Sequence, residues 1–220
     1  MSHEFKTPVR LIRGYSESLN LGMIKTAREQ REIADIIIKE SDRLNRLVND
    51  IIMLMRIDSG AFQINRHIID LAPVLRETVE YFSQSAKEKQ VAILLDIPRS
   101  LPAMGDKERI MQILENLLSN SLQHTNKNGE IHLRAIKENN AIRIEVMNTG
   151  PQISDSHIIH LFEPFYRAEN SRSRKKGGSG LGLSIVKGIV LAHQGNYGVK
   201  NTKAGVMFWF SIPSSKKKDE

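Results

Sequence analysis

The sequence predicts an α-helical hairpin that pairs into a dimeric four-helix bundle, followed by an α+β two-layer sandwich. Three observations predict it. Apolar residues recur every three or four positions from the start to about Asp58, the mark of amphipathic helices. Ser59-Gly60 closes that texture. Beyond it, helical stripes alternate with short strand patterns.

From about Met1 to Asn20, residues Phe5, Val9, Ile12, Tyr15 and Leu19 form one helical stripe. Pro8 sits inside it, removes a backbone donor, and predicts a kink or a restart. Asn20–Thr26, with Gly22, reads as a turn. A second helix from Ala27 to Asp58 carries Ile33, Ile37, Leu44, Leu47, Ile51 and Leu54 at heptad-like spacing, with Glu40 interrupting the seam. A lone hairpin of this size cannot cover both stripes, hence the expected homodimer; packing of the hairpin on its own second domain is the rival. Phe62–Ile69 reads as a strand, Ala72–Lys89 as an amphipathic helix, and Val91–Ile97 as a strand. Leu101-Pro102 leads to Gly105-Asp106, where Asp106 caps a helix from Lys107 to about His124. Strands Glu130–Lys137 and Ala141–Asn148 are joined by the turn Glu138-Asn139-Asn140. There follow a short helix (Ser154–Phe162), a long polar loop (Arg167–Ser179), a glycine-led helix to Ala192, and closing strands Gly195–Asn201 and Gly205–Pro213. Such alternation places helices on one face of a mixed sheet.

The bulk composition narrows the function classes. With 220 residues the chain has room for one large domain or two modest ones, and 40% hydrophobic with 26% charged residues is ordinary for a soluble protein. The net charge of +7 is local, gathered in Arg172–Lys176 and Lys216-Lys217-Lys218. The absence of cysteine excludes disulfides, thiolate metal sites and cysteine nucleophiles. No apolar run approaches a membrane span, and no signal peptide is visible. A nucleic-acid binder would interleave bases with aromatics on one face; aromatics are only 5%, so no nucleic-acid partner is expected. The chain opens within a helix, so a longer parent protein is expected.

Four features carry chemistry. Gly178, Gly180 and Gly182 alternate before an apolar helical run, preceded by the basic Arg172–Lys176. Backbone N–H groups at such a helix start cradle phosphates, although a glycine turn serves equally as a tight connection. Asn116 and Asn120 lie four apart on one helix face, where amide oxygens suit Mg²⁺ or are simply solvated. Asn148-Thr149-Gly150 ends a strand, where a polar side chain could read an adenine edge or merely make a turn. Finally, His3 is followed by Glu4, with Thr7 three residues beyond. Neutral imidazole, with an ordinary pKa of about 6.5, is a good nucleophile when a carboxylate holds its other nitrogen. Taken alone, a histidine near a chain start is more often a solvated residue or a tag remnant than a functional one.

Taken together, these segments resemble the sensor histidine kinases of bacterial two-component systems. Ser2-His3-Glu4-Phe5-Lys6-Thr7-Pro8 is similar to their phosphoacceptor box, and Glu115-Asn116-Leu117-Leu118-Ser119-Asn120 to their asparagine box. Asn148-Thr149-Gly150-Pro151-Gln152-Ile153 resembles the first glycine box, Phe162-Glu163-Pro164-Phe165-Tyr166-Arg167 the phenylalanine box, and Gly178-Ser179-Gly180-Leu181-Gly182-Leu183 the second glycine box. The resemblance implies a phosphoacceptor hairpin and an ATP-binding sandwich of the gyrase, Hsp90, histidine kinase and MutL type. It implies that His3 attacks the γ-phosphate of ATP, oriented or deprotonated by Glu4, and that Asn120 with Asn116 holds Mg²⁺. Asn148, Gly150, Phe162, Tyr166, Arg167 and the backbone of Gly178–Leu183 would bind the nucleotide, with Tyr166–Ser179 as a mobile lid. An aspartate of a response regulator receiver domain would then take the phosphoryl group. Thr7 lies where a polar residue positions water for the reverse, phosphatase activity.

The departures bear on affinity. Asn148 replaces the usual aspartate, Gln152 a usual glycine, and Gln123-His124 the usual lysine and tyrosine. Hydrolysing relatives carry a glutamate where Asn116 stands, so transfer is favoured over hydrolysis; Glu115 would reach the site only if the helix phase allowed it. The alternative function is a catalytically weak nucleotide-binding scaffold. The expected domains are 1–59 for dimerisation and phosphoacceptor, 60–66 as linker, 67–214 for ATP binding, and 215–220 as tail. The expected setting is the cytoplasmic portion of a membrane sensor whose spans lie upstream.

Overall fold

The computed structural model describes residues 2–168 and 179–215, leaving out the side chains of Ser2 and His3. Gly178, the basic run Arg172–Lys176, most of the predicted 167–179 loop and the Lys216–Lys218 tail lie outside the described residues. The chain divides into two compact units, Met1–Arg56 and Ile57–Glu220.

The first unit is a hairpin of α1 (Ser2–Asn20) and α2 (Ala27–Asp58). Of the kink or restart expected at Pro8, the restart does not occur, since α1 continues through it from Ser2 to Asn20. Pro8 is buried, and Val9, read as part of the stripe, is 49% exposed. Burying the pyrrolidine ring offsets part of the cost of the single donor it lacks. Thr26 and Glu29 start α2 as a capping box: Thr26 Oγ1 accepts from the Glu29 N–H at 3.2 Å, and Glu29 Oε2 accepts from the Thr26 N–H at 3.3 Å. Leu47, Met53 and Leu54 are buried, while Leu11, Ile38, Val48 and Ile52 remain exposed.

In the second unit, β1 (His67–Asp70) pairs antiparallel with β3 (Pro102–Gly105) in a two-stranded sheet. Two expectations change here. The strand expected over Phe62–Ile69 shrinks to β1, because the chain before it bonds elsewhere: Asn65 N–H donates to Asp106 Oδ2 at 2.9 Å and Arg66 Nη2 donates to the Ala192 carbonyl. Pro102–Gly105, read as a connection, is a strand made by pairing, with Ile69 opposite Ala103. Four residues bounded by proline and glycine carry no period that betrays it.

The second sheet is built on a packed helical layer. After α3 (Leu71–Glu88), β2 (Ala92–Asp96) and α4 (Lys107–His124) come β4 (Glu130–Glu138) and β5 (Ala141–Thr149). The one-turn α5 (Asp155–Ile158), α6 (Gly182–Ala192), β6 (Tyr197–Asn201) and β7 (Gly205–Pro213) complete it. The helix expected over Ser154–Phe162 stops after one turn, because His160, Leu161 and Glu163 each donate three residues back as the chain turns toward Pro164. The strand order is β2-β4-β5-β7-β6, with β2 and β4 parallel and the other pairs antiparallel. Ile131 and Leu133, Ile142, Ile144 and Val146, and Phe208, Phe210 and Ile212 are all buried by period two. They meet α3, α4 and α6, whose buried stripes include Leu75, Ile110, Leu114, Leu117, Ile185 and Ile189. Asp106 caps α4 as expected, its Oδ1 accepting from the Arg109 N–H at 3.2 Å.

His193 ties the end of α6 to the start of α4. Its ring is wholly buried; Nδ1 donates to the Ile189 carbonyl at 2.8 Å, and Nε2 accepts from the Asp106 N–H at 3.0 Å. A Cβ on Gly105 would lie 3.5 Å from that ring and 2.7 Å from Ile110 Cδ1, so glycine leaves the space. Burial lowers the His193 pKa, Arg66 adds to this, and the Ile189 carbonyl and Asp106 oppose it without cancelling it. The unfolded chain then binds more protons than the folded one, so stability falls as pH drops through the ordinary histidine value of about 6.5. Urea unfolding at about pH 7 and about pH 5 will show that loss. His193→Ala, which orphans the Asp106 N–H, should cost about 2 kcal/mol at neutral pH and flatten the pH dependence.

Candidate nucleotide site

The site grows from the start of α6. Gly180 has φ +70°, and its carbonyl accepts from the Phe165 N–H at 2.9 Å. A Cβ there would sit 3.0 Å from the Phe165 backbone and 3.1 Å from the Tyr166 carbonyl. Leu181, fully buried, occupies the cap position of α6 but offers no capping side chain. Its own carbonyl accepts from Ser184 Oγ at 2.7 Å and from the Ile185 N–H at 3.0 Å. The amides of Leu183 and Ser184 have no acceptor among the described residues. A helix N-terminus with unsatisfied donors and a partial positive charge is an anion cradle.

The asparagines of α4 face this cradle. A Cβ on Gly182 would lie 2.8 Å from Asn116 Oδ1, so any larger residue there must displace that side chain. Asn116 Nδ2 donates to the Gln112 carbonyl at 3.0 Å, which turns Oδ1 toward α6. Asn120, one turn further along the same face, is half-buried, and its side chain makes no hydrogen bond to a described residue. At the next turn, the His124 carbonyl lies 3.0 Å from where a Cβ of Gly150 (φ +150°) would stand. The single helix α4 therefore joins the α6 start to the end of β5.

Asn148 occupies an inward-facing position of β5 and is 3% exposed. Its Nδ2 donates to the Thr149 carbonyl at 3.3 Å, leaving Oδ1 as an unused acceptor among the described residues. The turn that follows is fixed by Gly150 N–H to the Ala204 carbonyl (3.0 Å), Gln152 Nε2 to the Thr202 carbonyl (2.6 Å), and a reciprocal pair between Ile153 and Asn201. Gln152, a departure in the sequence, thus has a structural task.

Phe162 stands apart, its ring 4.6 Å from that of Tyr197 on β6. Tyr166 is braced by two histidines: its hydroxyl lies 2.6 Å from His157 Nδ1, and its ring 5.2 Å from that of His160. Glu163 in turn holds His160 Nδ1 at 2.8 Å. The sequence alone did not name Tyr166 as the target of these two histidines, whose spacing carries no such signal. Nor did it single out Phe165, whose φ of +64° lets its amide reach Gly180, since no residue type marks such a position. Burial, and then Arg167 and Lys89, lower the pKa of His124, keeping it neutral beside the site. Glu115 lies on the exposed side of α4, with its pKa raised by desolvation, whereas Asn116 faces α6. No cluster of three or more histidine or carboxylate side chains exists among the described residues, so a cation here would rely on amide oxygens, phosphates and water. The donor set and the glycine cradle fit that use. His3, Glu4 and Thr7 lie in the first turns of α1, in the other unit.

Residues 105–216 match the family of histidine kinase-, DNA gyrase B-, and HSP90-like ATPases, and residues 1–60 match the His Kinase A (phospho-acceptor) domain. The chain belongs to the sensor histidine kinases. The signal transduction histidine-protein kinase BaeS of Escherichia coli (strain K12) is 35% identical over 195 residues, covering 89% of this kinase and 41% of BaeS. The sensor protein SrrB of Staphylococcus aureus (strain NCTC 8325 / PS 47) is 30% identical over 214 residues, covering 97% and 37%. The chain thus spans about two fifths of the length of the curated relatives it matches. Among solved structures, the Acinetobacter baumannii histidine kinase AdeS shares the fold, with a TM-score of 0.78 at 22% identity over 98% of both chains. Full-length ShkA in complex with AMPPNP has a TM-score of 0.74 at 28% identity, covering 97% of this kinase and 45% of ShkA. Histidine kinase ThkA in complex with response regulator protein TrrA gives 0.76 at 25% identity, covering 99% and 60%.

The close approach of α4 and α6 can be tested directly in this kinase. Gly182→Ala should cost about 1–3 kcal/mol through overpacking against Asn116, read by urea unfolding. It should also weaken binding of a fluorescent ATP analogue at least about tenfold, since a shift of about 1 Å misplaces the cradle.

Proposed function

We propose that this chain autophosphorylates on His3 with ATP and passes the phosphoryl group to an aspartate of a response regulator receiver domain. The observation that carries the reading is the side-chain-free contact of Gly182 with Asn116 at an uncapped helix start. It supports a triphosphate site, in a chain whose other unit bears His3-Glu4 in a phosphoacceptor-type hairpin. The lone pair of one His3 ring nitrogen forms the N–P bond, the bond from the γ-phosphorus to the bridging oxygen breaks, and ADP leaves. Glu4 holds the N–H of the other ring nitrogen and receives its proton. The Leu183 and Ser184 amides, with the turn at Gly180–Leu181, cradle the phosphates. Asn148 Oδ1 accepts from the adenine amino group, Gly150 shapes the turn beside the base, and Phe162, Tyr166 and Arg167 carry the lid that includes Gly178. Asn120, supported by Asn116, would hold Mg²⁺, which neutralises charge on the triphosphate. Thr7 positions water for dephosphorylation of the regulator.

The wider setting is proposed on the same basis. ThkA was solved with TrrA, which supports a receiver-domain partner. The exposed Leu11, Ile38, Val48 and Ile52 support a homodimer through the hairpin. Relatives more than twice as long, SrrB being named a sensor protein, support a cytoplasmic portion of a membrane sensor. The domains follow as 1–59, a 60–66 linker, and 67–214.

Incubation with Mg²⁺ and γ-labelled ATP will give acid-labile, alkali-stable label that is absent from His3→Gln. ATP binding with no label in the parent chain would instead favour a nucleotide-binding scaffold. Asn148→Asp should tighten ATP about 5- to 10-fold, because a charged acceptor roughly doubles the strength of that hydrogen bond, read by calorimetric titration.

A further inference from the structure

Glu40 was read as a break in the apolar seam of α2, and the structure shows what occupies that break. Its Oε2 is buried and accepts no hydrogen bond among the described residues, and it lies 3.8 Å from Arg43 Nη1, one turn along the same helix. Too long for a hydrogen bond, that distance is still an ion pair. The other arm of the same guanidinium, Nη2, stands 3.5 Å from Glu4 Oε2 on α1. Arg43 therefore spans two carboxylates on two helices, and one of them is the neighbour of His3. All three side chains are largely shielded from solvent, with exposures of 27% for Glu4, 32% for Arg43 and 19% for Glu40. Such a contact is screened less than the exposed pairs Arg13–Glu17 and Arg28–Glu32 of the same hairpin.

We propose that Arg43 is a positioning residue for phosphorylation of His3: anchored by Glu40, it fixes the carboxylate of Glu4. Arginine suits the task because its planar fork carries several donors in fixed geometry and never loses its charge. The polar break in the seam is then a device of the reaction. Glu40 orients Arg43, and Arg43 sets where Glu4 can stand. This rests on the phosphotransfer reading above, but its central measurement does not.

The imidazole of His3 is titrated by NMR in the whole chain and in Arg43→Ala, Arg43→Lys and Glu40→Gln, beside steady-state labelling with ATP. Removing Arg43 takes a positive charge from beside Glu4, so the His3 pKa should rise, and the pH profile of labelling should move to higher pH. At neutral pH the labelling kcat should fall about 10- to 100-fold, as expected when a reacting group is misplaced by about 1 Å. The KM for ATP should stay at the parental value. Arg43→Lys should restore part of both effects, and Glu40→Gln should fall between. An unchanged His3 titration in Arg43→Ala overturns the assignment. So does an equal loss in Ala and Lys variants accompanied by loss of helicity, which marks a merely structural tie. If the parent takes no label at all, the kinase reading fails, while the His3 titration still decides the role of Arg43.

Discussion

The second unit depends on one close approach, the first residue of α6 against the middle of α4. Gly182 has no Cβ, and Asn116 Oδ1 fills the space that one would take. Everything around that contact follows from it. The uncapped start of α6 is brought beside the amide face of α4, and the far end of α4 is brought against Gly150 at the end of β5. A bulkier residue at position 182 would force the Asn116 side chain away from the start of α6.

Around this contact the packing is divided between rigid and adaptable parts. The sheet buries alternate residues of β4, β5 and β7 against three helices, and His193 locks α6 to the α4 cap through two ring nitrogens. The loop between α5 and α6 is held differently, by a positive-φ phenylalanine and a tyrosine propped between histidines. Those contacts are few and partly exposed.

The sequence departures also take on physical content. Asn148 keeps an acceptor directed from the buried face of β5, though without charge. Gln152 holds the Thr202 carbonyl, and burial lowers the pKa of His124, which stands in place of the usual tyrosine. Asn116 faces α6 while Glu115 faces solvent, so the helix phase withholds a carboxylate from the site.

The family and the order of the fold were legible in the sequence alone. Helical stripes, alternating strands and glycine spacing are local, and they are written at the periods of the backbone itself. The cap at Asp106 and the glycine-led start of α6 were readable for the same reason. What the sequence did not carry were relations between distant segments. β3 exists because Ile69 finds Ala103, and α1 continues through Pro8 because the ring is buried. Phe165 takes a left-handed conformation because Gly180 offers its carbonyl, and Glu40 interrupts a seam because Arg43 is shared with Glu4. Local pattern fixes which elements form, because propensity and periodicity act over a few residues. Only tertiary structure decides which side chains those elements bring within hydrogen-bond reach, because that depends on chain segments the pattern cannot see.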